Sequence, residues 1–305
     1  MSPGSAHINC ECIVKRRVIA LEGLIGAGKS TLVDKIKHSD QRIEVLREEI
    51  NPMLLELFYS NPGKYGFAMQ WAALQQRIYQ SKLLTIAKDN CGTSSDCLWD
   101  RSMLGDYAFA LWNHLTGNLN RAEMDAYESM FGASISDHPE SLRDTYFVSH
   151  VDTYFWLVDD PMRCKGRVEL RRSNPAEQGI PETYYQGLED VHIFLFLKLL
   201  LDPQVSHKVK VRRWEQYQHV TDLEQLYAPG VNEVPSLVTS DLSGVVNGVY
   251  YNLILHANKS RAGVKQDVVD KYGFYFLDDA SKAALYHYLS NGGDPLTIGM
   301  NIHTE

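Results

Sequence analysis

A glycine-rich loop near the N-terminus constrains the fold of this chain more than any other feature. The apolar run Val18–Leu21 is followed by Glu22-Gly23-Leu24-Ile25-Gly26-Ala27-Gly28-Lys29-Ser30-Thr31, which satisfies the pattern G-x-x-x-x-G-K-[ST]. In such a loop the backbone N–H groups close around phosphate oxygens, and the N-terminus of the next helix adds positive potential. The sequence therefore predicts a strand, a phosphate-binding loop and a helix in direct succession.

The loop residues also predict how a nucleotide is bound. Lys29 is expected to reach the β- and γ-phosphates of ATP, and the Ser30 hydroxyl is expected to ligate Mg²⁺. The loop does not specify the reaction, because ATPases, GTPases, nucleotide kinases and nucleoside kinases all contain it. The predicted nucleotide-binding residues are Gly23, Gly26, Ala27, Gly28, Lys29, Ser30 and Thr31.

Short apolar runs alternate with longer helix-like segments, which is the pattern of βαβ units and a parallel sheet. We expect an α/β fold with a five-stranded parallel sheet flanked by helices. The predicted strands are Val18–Leu21, Ile43–Leu46, Cys97–Trp99, Thr153–Val158 and Val209–Arg212. The predicted helices are Lys29–Lys37, Pro52–Tyr59, Tyr65–Lys88, Leu104–Leu115, Arg121–Phe131, Pro161–Arg172 and Glu182–Leu201.

The sequence pattern changes after residue 240. Helices are predicted at Leu242–Ala257 and Asp279–Leu289, with the short aromatic segment Tyr272–Phe276 between them. We interpret residues 1–16 as an N-terminal tail, 17–240 as one phosphate-loop domain and 241–305 as a helical C-terminal extension packed on that domain.

Composition argues against several classes of partner and location. The net charge of −8 is unlike the basic surface of a duplex nucleic-acid binder. The most hydrophobic stretch, Ile193–Leu201, is too short for a membrane span and carries a lysine. The N-terminus lacks the apolar core of a signal peptide. Five cysteines are an odd count that favours a reducing compartment. We therefore expect a cytoplasmic protein with no nucleic-acid or membrane partner, and organellar import stays open.

Two carboxylates, Glu48 and Glu49, follow the second predicted strand. A carboxylate at the C-terminal end of such a strand points into the ligand crevice of a parallel sheet, where it can take a proton from an acceptor hydroxyl. A solvated loop charge explains the same residues equally well.

A second charged group, Asp100-Arg101-Ser102 with Asp106 after it, follows the third predicted strand. Asp100 can hold Mg²⁺ through water, and Arg101 can neutralise charge that develops on a transferring group. The alternative is a buried Arg–Asp pair at the start of a helix.

Arginines crowd the end of the helix that precedes the loop at residues 173–181. Arg167 and Arg171 are four residues apart and share a helix face, with Arg172 beside them. Clustered guanidiniums next to a loop are typical of a lid that closes over phosphates. A solvated charged face is the alternative.

Together these motifs resemble the deoxyribonucleoside kinase family over about residues 17–215. The phosphate loop matches the family's Glu-Gly-x-Ile-Gly-x-Gly-Lys-Ser/Thr-Thr, and Asp100-Arg101-Ser102 is similar to its Glu/Asp-Arg-Ser motif. The segments Arg167–Arg171 and Glu177–Pro181 resemble the lid of the branch that accepts deoxycytidine, deoxyguanosine and deoxyadenosine. The resemblance implies a P-loop kinase three-layer fold, ATP and Mg²⁺ as cofactors, and a homodimer formed through long helices.

The resemblance also implies a role for each matching residue. Glu48 would be the general base for the sugar 5′-hydroxyl, and Ser30 and Asp100 would serve the metal ion. Lys29, Arg101, Arg167 and Arg171 would stabilise charge during transfer. In the substrate site, Tyr59 and Glu177 would bind the 3′-hydroxyl, Gln70 would bind the base edge and Phe109 would stack on the base.

Arg77 and Asp106 occupy the places of an arginine–aspartate pair that the resemblance implies for the cytidine and purine enzymes. Thymidine-preferring relatives carry apolar residues there. Because a charged pair supplies hydrogen bonds to an amino-bearing base, we expect deoxyadenosine, deoxyguanosine or deoxycytidine to be preferred over thymidine.

The expected function is transfer of the ATP γ-phosphoryl group to the 5′-hydroxyl of a deoxyribonucleoside. One alternative is a nucleoside monophosphate kinase, which needs extra basic groups for the acceptor phosphate. The other is a non-catalytic structural subunit of the same fold, which need not keep the phosphate loop.

Overall fold

A five-stranded parallel sheet forms the centre of the computed structural model, which describes residues 16–89, 95–135, 151–171, 175–200, 205–228 and 279–291. The strand order is β2-β3-β1-β4-β5, and every neighbouring pair is parallel. All five predicted strands are confirmed. Their bounds are β1 Val18–Glu22, β2 Glu44–Leu46, β3 Cys97–Asp100, β4 Thr153–Val158 and β5 Val209–Arg213.

Helices cover both faces of this sheet, so the α/β three-layer prediction is also confirmed. The helices are α1 Lys29–Ser39, α2 Pro52–Ser60, α3 Pro62–Asp89, α4 Met103–Leu115, α5 Arg121–Ile135, α6 Pro161–Arg171, α7 Glu182–Leu200, α8 Trp214–Tyr217, α9 Leu223–Tyr227 and α10 Asp279–Ser290. Short 3₁₀ turns lie at Pro175–Glu177 and Ser206–Lys208. The predictions for Leu242–Ala257 and Tyr272–Phe276 fall outside the described residues.

The hydrophobic core consists of one large cluster on each face of the sheet. Val18 and Ala20 of β1 pack into one cluster, and Ile19 and Leu21 pack into the other. Successive side chains of a strand point to opposite faces, so a strand covered on both sides needs apolar residues at every position. This is why the inner strands β1, β3 and β4 read as nearly continuous apolar runs, whereas the edge strands β2 and β5 carry charged residues.

Helix α3 begins three residues before its predicted start at Tyr65. The Asn61 side chain accepts a hydrogen bond from the Lys64 backbone N–H at 3.1 Å, and Pro62 occupies the first turn. Asparagine is a favoured helix cap, and proline is tolerated in the first turn because its missing N–H would have no partner there. These two residues mark the true start of the helix.

Helix α10 docks on the core of the sheet domain through a buried charged contact. Lys282 Nζ lies 2.8 Å from a Glu189 oxygen and 2.7 Å from an Asp190 oxygen, both on α7. The Tyr286 hydroxyl donates to Glu189 at 3.0 Å, and its ring packs edge-on against Trp156 of β4. The predicted helix Asp279–Leu289 is therefore confirmed, and it extends to Ser290.

No helix within the ranges given above is both long and apolar enough to cross a bilayer.

We predict that Lys282→Ala lowers the free energy of unfolding by about 3–5 kcal/mol, because it leaves buried carboxylates without their cation. Chemical denaturation measures the change. Lys82→Ala, at an exposed position on α3, is the control. Equal losses in the two variants would contradict a stabilising role for the α7–α10 contact.

Candidate active site

The phosphate loop connects β1 to α1 and requires glycine at specific positions. Gly23 and Gly26 have φ angles of 145° and 79°. A Cβ atom would lie 2.4 Å from the Leu157 carbonyl oxygen at Gly23 and 2.2 Å from the Cys164 carbonyl oxygen at Gly26. Both the conformation and the close approach of neighbouring backbone therefore exclude a side chain.

Lys29 lies at the start of α1, with its ammonium group inside the loop. Its Nζ atom donates to the carbonyl oxygens of Gly23 at 3.0 Å and Leu24 at 2.8 Å. Burial, with the nearby Arg101 charge, lowers the pKa of Lys29 to about 8. An anion bound at the loop would favour the charged form of this lysine.

Ser30 and Asp100 bring two hard oxygen ligands together beside the loop. The Ser30 hydroxyl donates to Asp100 Oδ2 at 2.8 Å, and Asp100 is 3% exposed. The second carboxylate oxygen, Oδ1, is buried without a hydrogen-bond partner. A hydroxyl and a carboxylate with a free oxygen are suitable ligands for Mg²⁺, which takes its other ligands from phosphates and water. Among the residues with described side chains, no group of three or more His, Cys, Asp or Glu forms a separate metal site.

Arg101 follows β3 in a left-handed backbone conformation, with φ of 66°. This conformation costs a non-glycine residue about 1–2 kcal/mol. Its backbone N–H donates to the Leu21 carbonyl, and Nη2 donates to the Gly23 carbonyl, both at 3.1 Å. Nε lies 3.3 Å from Glu48 Oε2, and the guanidinium covers the Phe109 ring at 4.5 Å. The strained backbone thus aims one arginine at the phosphate loop and at Glu48 together.

Glu48 lies in the cleft beside the loop and is held by two arginines. Arg77 Nη2 donates to Oε1 at 2.7 Å, in addition to the Arg101 contact with Oε2. Burial alone would raise the pKa of Glu48, but the charges of Arg101, Arg77 and Lys29 outweigh it and lower the pKa. Glu49 is exposed and does not line the cleft, so the geometry favours Glu48 of the two carboxylates as a proton acceptor.

Gln80 fixes the position of this ion pair. Its Oε1 atom accepts from Arg77 Nη1 at 3.1 Å and from Trp99 Nε1 at 2.8 Å. Its Nε2 atom donates to the Arg47 carbonyl at 2.7 Å, immediately before Glu48. The side chain therefore ties α3 to the end of β2. No sequence pattern marks Gln80, so the sequence analysis missed it.

The cleft extends from the phosphate loop between α2, α3 and α4. Gln70 is 3% exposed, and its Oε1 atom has no hydrogen-bond partner. Burial, with the nearby Tyr184 and Glu177, raises the pKa of Tyr59 well above its ordinary value, so its hydroxyl stays a neutral donor. The structure brings these predicted site residues to one cleft: Lys29, Ser30, Glu48, Tyr59, Gln70, Arg101, Asp106, Phe109, Arg171 and Glu177.

Arg77 and Asp106 do not form the direct ion pair that the sequence analysis expected. Arg77 Nη2 donates to Glu48 and Nη1 to Gln80, and its third nitrogen, Nε, is buried without a hydrogen-bond partner. Asp106 instead accepts a hydrogen bond from the Tyr127 hydroxyl at 2.6 Å. The two charges still act on each other electrostatically. Sequence spacing could not distinguish these partners, because Arg77 and Tyr127 are brought close to Asp106 only by the packing of their helices.

The two lid arginines differ in their surroundings. Arg167 Nη1 donates to the Gly26 carbonyl at 2.8 Å, its Nη2 is paired with Asp159, and its guanidinium stacks on Trp214 at 3.9 Å. Arg171 is exposed and lines the cleft. In this structure Arg167 is bound to the loop itself, and Arg171 is the arginine that remains accessible.

Glu22 is a further site residue to which the sequence analysis gave no role. It is fully buried at the end of β1 and accepts from the Ser102 backbone N–H at 2.7 Å and hydroxyl at 2.5 Å. It thereby joins the loops after β1 and β3. The signal was present in the sequence, because a lone carboxylate closes an otherwise apolar strand.

An open parallel sheet with this loop after its central strand defines a P-loop nucleotide-binding fold. The model of the deoxynucleoside kinase family matches residues 19–227. The chain therefore belongs to the deoxynucleoside kinase family.

Individual relatives agree with this family. The chain is 28% identical to a deoxyguanosine kinase of Dictyostelium discoideum, over 58% of this chain and 57% of that protein. It is 27% identical to a deoxyadenosine kinase of the same organism, over 68% and 76% of the two chains. A solved structure of deoxyadenosine kinase from M. mycoides, 23% identical, superimposes with a TM-score of 0.50 over 65% of this chain and 91% of that one. The structural match supports the fold.

We predict that Gly26→Ala destabilises the protein by at least about 2 kcal/mol, because it adds both backbone strain and overlap with the Cys164 carbonyl. The same variant should lose the thermal stabilisation that ATP provides, which is about 2.7 kcal/mol at 100 times Kd. Gly166→Ala on α6 is the matched control, because a Cβ atom there meets nothing within 4 Å. ATP stabilisation of Gly26→Ala equal to that of the control would contradict phosphate binding at this loop.

Proposed function

We propose that this protein transfers the γ-phosphoryl group of ATP to the 5′-hydroxyl of a deoxyribonucleoside. One observation carries the proposal. The Arg101 guanidinium binds both Glu48, a carboxylate with a lowered pKa, and the Gly23 carbonyl of the phosphate loop. A proton acceptor and a phosphate site therefore lie on either side of one arginine, which is the arrangement that phosphoryl transfer to a hydroxyl requires.

The donor side of the proposal uses the phosphate loop. Lys29 and the loop N–H groups bind the phosphates of ATP, and Ser30 and Asp100 hold Mg²⁺. When bound, Mg²⁺ neutralises charge on the phosphate oxygens. A second groove reaches the phosphate loop at Gly28, is lined also by Thr31, Lys35, Leu170 and Gln218, and can take the base of the donor. A relative from M. mycoides has been solved with bound dATP, which supports a nucleoside triphosphate at such a fold.

The acceptor side of the proposal uses the cleft between α2, α3 and α4. Tyr59 and Glu177 bind the 3′-hydroxyl, and the unpartnered amide oxygen of Gln70 binds the edge of the base. Phe109 stacks on the base. The preference for a purine deoxynucleoside or deoxycytidine over thymidine rests on Asp106 and on the relatives, which are named deoxyguanosine, deoxyadenosine and deoxycytidine kinases.

The transfer step follows from these positions. The 5′-oxygen attacks the γ-phosphorus, the new P–O bond forms as the bond to the β,γ-bridging oxygen breaks, and ADP leaves. Glu48 accepts the proton of the attacking hydroxyl. Lys29, Arg101, Arg167 and Arg171 stabilise the charge on the transferring group and on ADP.

An assay of ATP consumption with the four deoxynucleosides and their monophosphates tests the proposal. We expect turnover with deoxynucleosides and none with monophosphates. Turnover restricted to monophosphates would identify a nucleoside monophosphate kinase instead. The absence of turnover, together with no thermal stabilisation by ATP, would favour a structural subunit.

We predict that Glu48→Gln lowers kcat by about 10²–10⁴-fold, the usual contribution of general base catalysis. Because the pKa of Glu48 is lowered, the wild-type base stays ionised at neutral pH, and activity should fall only below the ordinary pKa range of glutamate. Steady-state kinetics with the best nucleoside measures both effects.

Glu49→Gln is the matched control, since it removes the same charge one residue away at an exposed position. It should leave kcat unchanged. If Glu48→Gln folds normally and keeps most of its activity, Glu48 is not the base.

A further inference from the structure

A buried tyrosine reaches Asp106 at the wall of the acceptor cleft. Tyr127 of α5 is fully buried, and its hydroxyl donates to Asp106 Oδ2 at 2.6 Å. Its ring packs against Tyr107 and Phe131, with centroid distances of 6.2 Å and 6.0 Å. The packing fixes the ring, so the hydroxyl is held at one position next to the carboxylate.

Arg77, which the sequence resemblance pairs with Asp106, makes its hydrogen bonds to other residues. It donates to Glu48 and Gln80 and is itself 1% exposed. In the part of the chain that the structure describes, the side-chain donor that reaches the Asp106 carboxylate is the Tyr127 hydroxyl. Asp106 therefore depends on α5 for its orientation, whereas Arg77 binds Glu48, the proposed general base.

Asp106 is surrounded by groups from four parts of the fold. Burial raises its pKa to about 7, against the opposing effects of Arg77 on α3, Tyr127 on α5 and Arg101 after β3. Glu48, after β2, raises the pKa further. Both protonation states are therefore present near neutral pH, and a hydrogen bond from the phenol favours the ionised one.

We propose that Tyr127 is a specificity-determining positioning residue, which orients the Asp106 carboxylate so that it accepts a hydrogen bond from the exocyclic amino group of the acceptor base. This inference rests on the proposed function and deepens it. Adenine, guanine and cytosine carry such an amino group, whereas thymine has none. The tyrosine thus acts on the choice of base through Asp106 and does not touch the transferring phosphoryl group.

The experiment compares Tyr127→Phe with Tyr107→Phe in the full chain. The Tyr107 hydroxyl donates to Glu128 at 2.8 Å, so both substitutions remove one α4–α5 hydrogen bond, and only the first touches Asp106. We measure kcat and KM for the four deoxynucleosides between pH 6 and pH 8, with thermal unfolding alongside.

For Tyr127→Phe we expect KM for the amino-bearing nucleosides to rise about fivefold, the worth of one buried hydrogen bond. The value of kcat and the KM for thymidine should stay unchanged. In the wild type, KM for an amino-bearing nucleoside should fall as the pH rises through about 7, where Asp106 ionises. In the variant this transition should move to higher pH, because the donor to the ionised form is gone.

A second variant, Asp106→Asn, tests the role of Asp106 without requiring that Tyr127→Phe folds. Combined with Tyr127→Phe, it tests whether the tyrosine acts through Asp106. Asp106→Asn should raise the KM for amino-bearing nucleosides and abolish its pH dependence. In that background Tyr127→Phe should have no further effect on KM, whereas independent effects would add.

Three results would overturn the inference. Equal KM values in Tyr127→Phe and Tyr107→Phe would mean that the tyrosine is purely structural, and unchanged KM in Asp106→Asn would remove Asp106 from base binding. Both results leave the proposed function intact as long as the wild type phosphorylates a deoxynucleoside. A wild type that phosphorylates none of the four would overturn the proposed function and this inference together.

Discussion

The Arg101 guanidinium is the contact on which the arrangement of the site depends. It lies after the β-strand next to the central one, and it joins the phosphate loop to Glu48 while covering the Phe109 ring. The backbone reaches this geometry only in a left-handed conformation, and its contacts on both sides stabilise that conformation. Glu22 stabilises this arrangement, since its hydrogen bonds with Ser102 fix the residue that directly follows Arg101.

Charge is concentrated at this site in a protein whose net charge is −8. Three cations, Lys29, Arg77 and Arg101, meet Glu48 in a partly buried cleft, and their combined effect keeps the carboxylate ionised. An acidic protein can therefore bind a polyanionic nucleotide, because the potential that matters is local. Burial raises the pKa of both carboxylates. At Asp106 the nearby cations and the Tyr127 hydroxyl do not outweigh burial, so its pKa stays raised. Two carboxylates of one cleft thus differ in protonation because their partners differ.

Much of the fold could be predicted from the sequence, and the reason is physical. Strands covered on both faces must be largely apolar, so the inner strands β1, β3 and β4 stand out as runs, and the phosphate loop marks where β1 ends. The predicted start of α3 was wrong by three residues. The helix begins where the Asn61 side chain caps it, and the periodicity of apolar residues carries no information about caps. The domain division at residue 240, the homodimer and the cellular location stay predictions.

The sequence by itself determined the sheet class and the phosphate loop, because these depend on apolar runs and on one local motif. It pointed to helix residues of the cleft such as Tyr59, Gln70 and Phe109 only through the resemblance to a known family, because nothing in their local pattern marks them. Only the tertiary structure decided which side chains form hydrogen bonds and ion pairs with one another. Arg77 binds Glu48, Asp106 binds Tyr127, and Arg167 stacks on Trp214. These partners come from elements far apart in the chain, and their distances are set by helix packing. No local pattern encodes that packing, so side-chain partners became visible only with the fold.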